Sequence, residues 1–287
     1  MPQPKPPVID PASIAAGLWR SDDGVWYSSD AQQVSYPQDG NEACFAVEEA
    51  SFWFKHRNDC IRALVNAYPP RAGGAIFDIG GGNGVVSAML AAAGFPVALV
   101  EPGRTGAINA KNRGLATVIC ATAETAGFRP HTLPAVGLFD VIEHIEDDAR
   151  FLRSIRSLLE PRGLLYATVP AYSWLWSDED VAAGHYRRYT LKGIREVIEE
   201  AGFSIEFASY IFRFLPIPIA LLRALPYRMG VGGRTNSQGD PAKDHAVRGG
   251  RGVRRVLDLL LAPELANLAA GKPMGFGGSC LVAARGR

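Results

Sequence analysis

Ala75-Ile76-Phe77-Asp78-Ile79-Gly80-Gly81-Gly82-Asn83-Gly84, followed by the apolar, alanine-rich run Val85 to Ala93, decides how this chain folds. The apolar residues before the glycines read as a buried parallel strand, the glycines as a tight turn, and the Ala/Met/Leu run as the helix that begins there. Gly80, Gly82 and Gly84 lack the Cβ atoms that would hold a ligand off the backbone. The helix start leaves N–H groups free for a carboxylate or phosphate. Strand, loop and helix together make a ligand cradle.

The spelling of the loop separates two classes of nucleotide. A dinucleotide loop needs G-x-G-x-x-G, but counting from Gly80 the third glycine position holds Val85, and counting from Gly82 it holds Ser87. The pattern that fits is D-x-G-x-G-x-G with Asp78 at the strand end, and in this the stretch resembles the class I S-adenosylmethionine (SAM) methyltransferases. The next strand, Pro96 to Val100, closes on Glu101 about twenty residues beyond the loop, where an acid can accept both ribose hydroxyls. That acid would serve NAD equally well, so an NAD(P) oxidoreductase is the rival enzyme and a SAM-binding protein without transfer activity the third reading.

At 287 residues and 47% hydrophobic, the chain can bury one large α/β core. A formal net charge of +1 gives no global electrostatic case for nucleic acid. Cys44, Cys60, Cys120 and Cys280 are dispersed without a C-x-x-C, so neither a zinc site nor a disulfide framework is indicated and a reducing cytoplasm is the expected location. Met1 to Pro11 is proline-rich, unlike a signal peptide or a membrane span.

Further motifs extend the resemblance. Phe52-Trp53-Phe54-Lys55-His56-Arg57 is similar to the F/W-W-F-x-x-R segment that precedes the SAM domain in a large bacterial branch of the family. Phe139-Asp140-Val141-Ile142-Glu143-His144 is similar to its V-L-E-H run, and Leu158 to Pro170 to its L-K-P-G-G-x-L strand entry. Trp174 to Asp180 and Gly184-His185-Tyr186-Arg187-Arg188-Tyr189-Thr190 match a loop of the same branch. The resemblance implies a Rossmann-like, seven-stranded, mainly parallel sheet with helices on both faces, the last strand antiparallel beside the sixth. It implies SAM as cofactor and S-adenosylhomocysteine as product. The implied cofactor set is Asp78, Gly80, Gly81, Gly82, Asn83, Gly84, Glu101, Pro102, Thr122, Ala123 and Phe139, with Trp53 and Arg57 from the preceding helix. Thr122 stands where the family usually has an acid for the adenine amino group, a departure.

The expected organisation is an N-terminal arm and helical lid over 1–70, a cofactor-binding core over 71–212, an insertion over 213–275 and a final core strand over 276–287. Residues 12 to 45, aromatic but irregular, are expected to be an ordered arm, and Gly230 to Gly252 a mobile loop. Phe214 to Leu225 is apolar but short and broken by Pro216 and Pro218, so core packing is expected there in preference to lipid contact.

Methyl transfer to a hydroxyl needs a base, and histidine is suited near neutral pH. His185 and His144 are the candidates, with Glu143 beside them. Trp174, Trp176, Tyr186, Arg187, Arg188 and Tyr189 are expected to hold a small-molecule acceptor of biosynthetic or cell-envelope metabolism, methylated on oxygen or nitrogen, with no nucleic-acid partner. No metal is expected. The alternative is a divalent cation on Asp140, Glu143 and His144, a cluster that ubiquinone-pathway O-methyltransferases resemble.

Overall fold

A computed structural model describes residues 9–29, 48, 51–230 and 251–287, with the side chains of 251–256 and 258 left aside. The Gly230 to Gly252 loop, Tyr36, Cys44 and Phe45 of the arm, and His245 fall outside or at the edge of that range.

Strand, glycine turn and helix lie where the opening stretch predicts them. Ile76–Ile79 (β3) is followed by the helix Val85–Ala92, then Val97–Val100 (β4), the helix Arg104–Asn112 and Thr117–Cys120 (β5). Leu133–Phe139 (β6), the helix Asp148–Leu158, Leu159–Pro170 (β7), the helix Leu191–Glu200, Phe203–Ile211 (β8) and Ser279–Gly286 (β9) complete the core. The last strand is antiparallel beside β8, as the resemblance implies, and pairs antiparallel with β7 on its other side.

Among the described residues the sheet has nine strands where seven were expected. Leu18–Arg20 (β1) and Trp26–Ser28 (β2) form an antiparallel pair, and β2 runs parallel to β5 at the edge. The arm thus extends the sheet instead of only packing on it, giving the order β1-β2-β5-β4-β3-β6-β7-β9-β8. Strand β7 also begins earlier than Leu164, at Leu159, with a register irregularity against β6 and Arg162 at φ 61°.

Alternation along the strands divides the core in two. Phe77, Ile79, Val136, Leu138, Leu165 and Ala167 pack on Leu152, Ile155, Ile194 and Ile198 of the two helices on one face. Ile76, Val97, Ala135, Leu164 and Tyr166 pack on Ile61, Leu64, Val86 and Leu90 on the other. Each fully buried Leu or Ile contributes about 1.5–3 kcal/mol relative to exposure. The helix ends carry the caps the sequence provides. Asp147 accepts from Arg150 N at 2.9 Å, Thr190 from Gly193 N at 3.0 Å and Ser51 from Trp53 N at 3.2 Å.

Because β3, β4, β6 and β7 are parallel, the loops after them meet at one edge of the sheet. Ligands of open α/β sheets bind at that carboxyl edge. The Gly80–Gly84 turn, Glu101, the Asp140–His144 turn and the Ala171–Trp176 loop all lie there.

Candidate active site

The cradle is held open by its own packing. Gly80, Gly82 and Gly84 have φ of 72°, 54° and 79°, the left-handed region that side chains resist. A Cβ on Gly80 would meet Val141 at 2.8 Å, and one on Gly84 would meet Ala110 at 2.8 Å. These two glycines therefore serve close packing of the loop as well as any ligand. Gly84 N-caps Val85–Ala92 with no side-chain cap.

Asp78 is buried at the end of β3 and accepts a 2.6 Å hydrogen bond from Ser87 Oγ. Burial pushes its pKa up to about 6, while Ser87 and Arg57 pull the other way. Glu101, also buried, spans the loop, accepting from Gly82 N at 2.9 Å through Oε2 and from Gly103 N at 2.7 Å through Oε1.

Other members of the predicted cofactor set are bound into the protein. Asn83 donates to Glu48 at 3.0 Å and accepts from Asn109 at 2.9 Å, and Glu48 also holds Arg113 at 2.9 Å. Burial raises the Glu48 pKa against the pull of these partners. The Thr122 hydroxyl is engaged with Thr125, taking its N–H at 3.0 Å. Ala123 is buried, Pro102 lends its carbonyl to Cys120, and Phe139 is buried beneath Gly137.

Arg57 joins the cradle to the next loop. Its guanidinium binds the Asp140 carboxylate, lies 5.1 Å from the Trp53 ring centroid and acts electrostatically on Asp78. Its Nε is buried with no hydrogen-bond partner. Trp53 stacks on Phe212 with centroids 5.6 Å apart, fixing the helix Phe52–Ala67 over the site.

Asp140 sits at φ 58°, with Thr168 Oγ1 donating to its Oδ1 at 3.0 Å. Engaged by Arg57 and Thr168, it does not join the cation set proposed from the sequence. The groups that do converge are Glu143, His144 and His185, whose candidate ligand atoms lie within 4.8 Å of one another. The two imidazoles meet edge to face with centroids 4.7 Å apart. Burial lowers His144 to a pKa of about 4, with His185 adding to the effect. Glu143 is 1% exposed and neither carboxyl oxygen has a hydrogen-bond partner. Burial, then Asp140, raises its pKa well above the usual carboxylate range.

Asp180, absent from the sequence-based site, holds this group from behind. It is 1% exposed, accepts from Ser177 N at 2.9 Å, and lies 2.8 Å from His185 Nδ1 and 2.7 Å from Arg188 Nε. Burial raises its pKa, but His185 and Arg188 outweigh that and hold it below the ordinary value. An ionised Asp180 can only accept, so His185 Nδ1 is the donor of this hydrogen bond. Its signal in the sequence is the pair Ser177 and Asp180 at helix-capping spacing, five residues before His185.

The predicted acceptor residues divide. Arg187 pairs with Asp148 at 2.8 Å, Arg188 with Asp180, and the Tyr189 hydroxyl donates to Asp148 at 2.6 Å. These three fasten the loop to the core. Trp174 and Tyr186 are exposed and Trp176 half-buried, with Trp174 stacked on Tyr172 at 5.5 Å.

A family model described as a methyltransferase domain matches residues 53–206. The chain is 34% identical over 110 residues to a ubiquinone biosynthesis O-methyltransferase of Caulobacter vibrioides, a match covering 35% of this chain and 42% of that protein. A relative of the same description from Parvibaculum lavamentivorans is 31% identical over 94 residues, 31% of this chain and 37% of that protein. The chain thus spans less than half the length of these curated relatives. Among solved structures, Haemonchus contortus phosphoethanolamine N-methyltransferase 2 superposes with a TM-score of 0.53 at 20% identity, over 88% of this chain and 59% of that one. This shared fold is the one the sequence predicts.

Proposed function

This chain belongs to the methyltransferase domain family, and from that premise we propose that it is a SAM-dependent methyltransferase acting on a hydroxyl of a small-molecule acceptor. The observation that carries the reading is the meeting, at one sheet edge, of a glycine cradle flanked by Asp78 and Glu101 with two imidazoles and a buried carboxyl, one imidazole backed by Asp180.

The residues fit the cofactor. Asp78 would hold the ammonium end, the unpartnered Nε of Arg57 the carboxylate, and Glu101 the ribose hydroxyls. SAM supplies an activated methyl on a sulfonium, so the protein's tasks are to align the acceptor, exclude water and take up a proton. His185, held by Asp180 through Nδ1, is the base. His144, neutral above a pKa of about 4, stands beside it. Glu143, its carboxyl pushed up by burial, lies in the same group. Trp174, Trp176 and Tyr186 are the groups available to stack on an acceptor ring. The O-methyltransferase description of the matched relatives supports oxygen as the methylated atom.

Calorimetry with SAM, S-adenosylhomocysteine and NAD(H) tests the cofactor assignment. Both SAM and its product should bind, and Asp78→Ala should abolish binding; tight NAD(H) binding without a SAM signal refutes the reading.

The convergence of Glu143, His144 and His185 favours a second reading in which a divalent cation on these three lowers the acceptor's pKa. Titration with Mg2+, Mn2+ and Zn2+ separates the two. Cation binding lost in Glu143→Gln and His144→Ala supports the metal, and full turnover in chelator supports the histidine base.

A further inference from the structure

After β8 the chain runs into a helical segment made of Pro216–Ile219, a wide turn over Ala220–Ala224 and Leu225–Arg228. The widening has a local cause, since Pro226 has no N–H for the Leu222 carbonyl and its ring crowds that oxygen. Pro216 and Ala224 are buried against the protein. The core packing expected for this stretch is not found on its other side. Ile217, Leu221, Leu222, Leu225 and Met229 are 61%, 60%, 75%, 48% and 65% exposed and recur at helical spacing. An apolar stripe of this length left to water marks an interaction site.

The charges beside it identify the partner. From Phe207 to Gly239 the sequence contains Arg213, Arg223, Arg228 and Arg234 and no Asp or Glu, although the chain as a whole carries only +1. Arg223 is paired with Glu179, while Arg213 and Arg228 are exposed at the two ends of the segment. An exposed apolar row bounded by two exposed arginines, with no acid in its own sequence, has the composition of a helix that lies in the headgroup layer of an anionic membrane. Among the described residues no helix is long and apolar enough to cross a membrane, so the contact is with a surface.

We propose that the Pro216–Arg228 segment docks on an anionic lipid bilayer, its leucines entering the interface and its arginines meeting the headgroups. The segment packs beside Ser173–Leu175 and is tied to Glu179, so docking would bring the membrane surface to the Trp174 loop. The proposal rests on exposure and charge and stands apart from the transferase reading.

Vesicle co-sedimentation of the full chain tests it, using phosphatidylcholine alone and phosphatidylcholine mixed with phosphatidylglycerol. Binding should require the anionic lipid, weaken with salt, and fall by about tenfold or more in Leu221→Asp/Leu222→Asp. Trp19→Asp, which alters an exposed aromatic on the sheet's far edge, should bind as the unaltered chain does. An unchanged thermal melt of the double variant shows that it remains folded. The proposal is overturned by no binding, by equal binding to both vesicles, or by a double variant that still binds. It is overturned equally if the stripe instead pairs two copies, seen as a dimer that the double variant dissolves.

Discussion

Replacing Asp180 by asparagine separates a positioning role from a structural one. Oδ1 faces His185 Nδ1 at 2.8 Å and Arg188 Nε at 2.7 Å, and Oδ2 faces Ser177 N at 2.9 Å. All of these are donors, so either orientation of an asparagine amide sets its NH2 against a donor. An unsatisfied buried group costs about 1–3 kcal/mol, and the loss of two charge-assisted bonds adds to it, for a total of about 3 kcal/mol. At about 2–4 °C per kcal/mol for a domain of this size, Tm should drop by about 6–12 °C. Without the ionised acceptor His185 loses its tautomer preference, and kcat should fall by about tenfold to a hundredfold with SAM affinity within a few-fold. The decisive assay is a double-mutant cycle on kcat. In a His185→Ala background, Asp180→Asn should have no further effect on turnover while still lowering Tm. If Asp180→Asn lowers Tm yet turns over at the original rate, Asp180 is a fastener and the base assignment loses its support.

The two histidines should differ: His185→Ala should lower kcat by roughly a hundredfold at near-normal SAM affinity, and His144→Ala should mainly disturb folding or cofactor binding. Steady-state kinetics and calorimetry that gave the reverse pattern would transfer the role of base to His144. Gly84→Ala should cost about 2–5 kcal/mol, because φ is 79° and the new Cβ meets Ala110 at 2.8 Å and Leu115 at 2.9 Å. Gly114→Ala, at φ 90° with nothing within 4 Å, should cost only the backbone strain of about 1–2 kcal/mol; equal Tm losses would show that packing is not the cause. The pH dependence has a definite sign. His144, lowered to about 4, leaves the unfolded chain with more protons between about pH 4 and 6.5, so its contribution to stability is lost as pH falls through that window. Asp78, raised to about 6, acts oppositely, its contribution being lost as pH rises from about 4 to 6. Denaturant unfolding of His144→Gln should therefore shift relative to the unaltered chain in the variant's favour, by about 2–3 kcal/mol between pH 7 and pH 4; parallel curves would contradict the buried, neutral His144.

What the sequence reveals about this fold is what neighbours along the chain decide. The glycine turn, the buried runs of β3 and β4, and the caps Ser51, Asp147 and Thr190 each act within a few residues of themselves. Three-residue β1 and β2 do not: Trp26 and Tyr27 are strand because Ile119 and Cys120, more than ninety positions later, offer them an edge. The insertion misleads for a related reason. Its leucines have the composition of a core, and only the absence of a facing element in the described residues makes them a surface.

The candidate site shows the same division at the level of chemistry. Asp78 and Glu101 are legible because a strand end fixes each of them relative to the glycine loop. Reading the arginines and Tyr189 from composition assigns them to a ligand, but Asp148 holds Arg187 and Tyr189, and the buried pair of Arg188 with Asp180 is satisfied within the protein. What remains unclaimed is more informative. Glu143 has two buried oxygens without partners, and Arg57 one buried nitrogen. Such groups are costly to keep, and both lie at the carboxyl edge of the sheet, one beside two imidazoles and one electrostatically linked to Asp78.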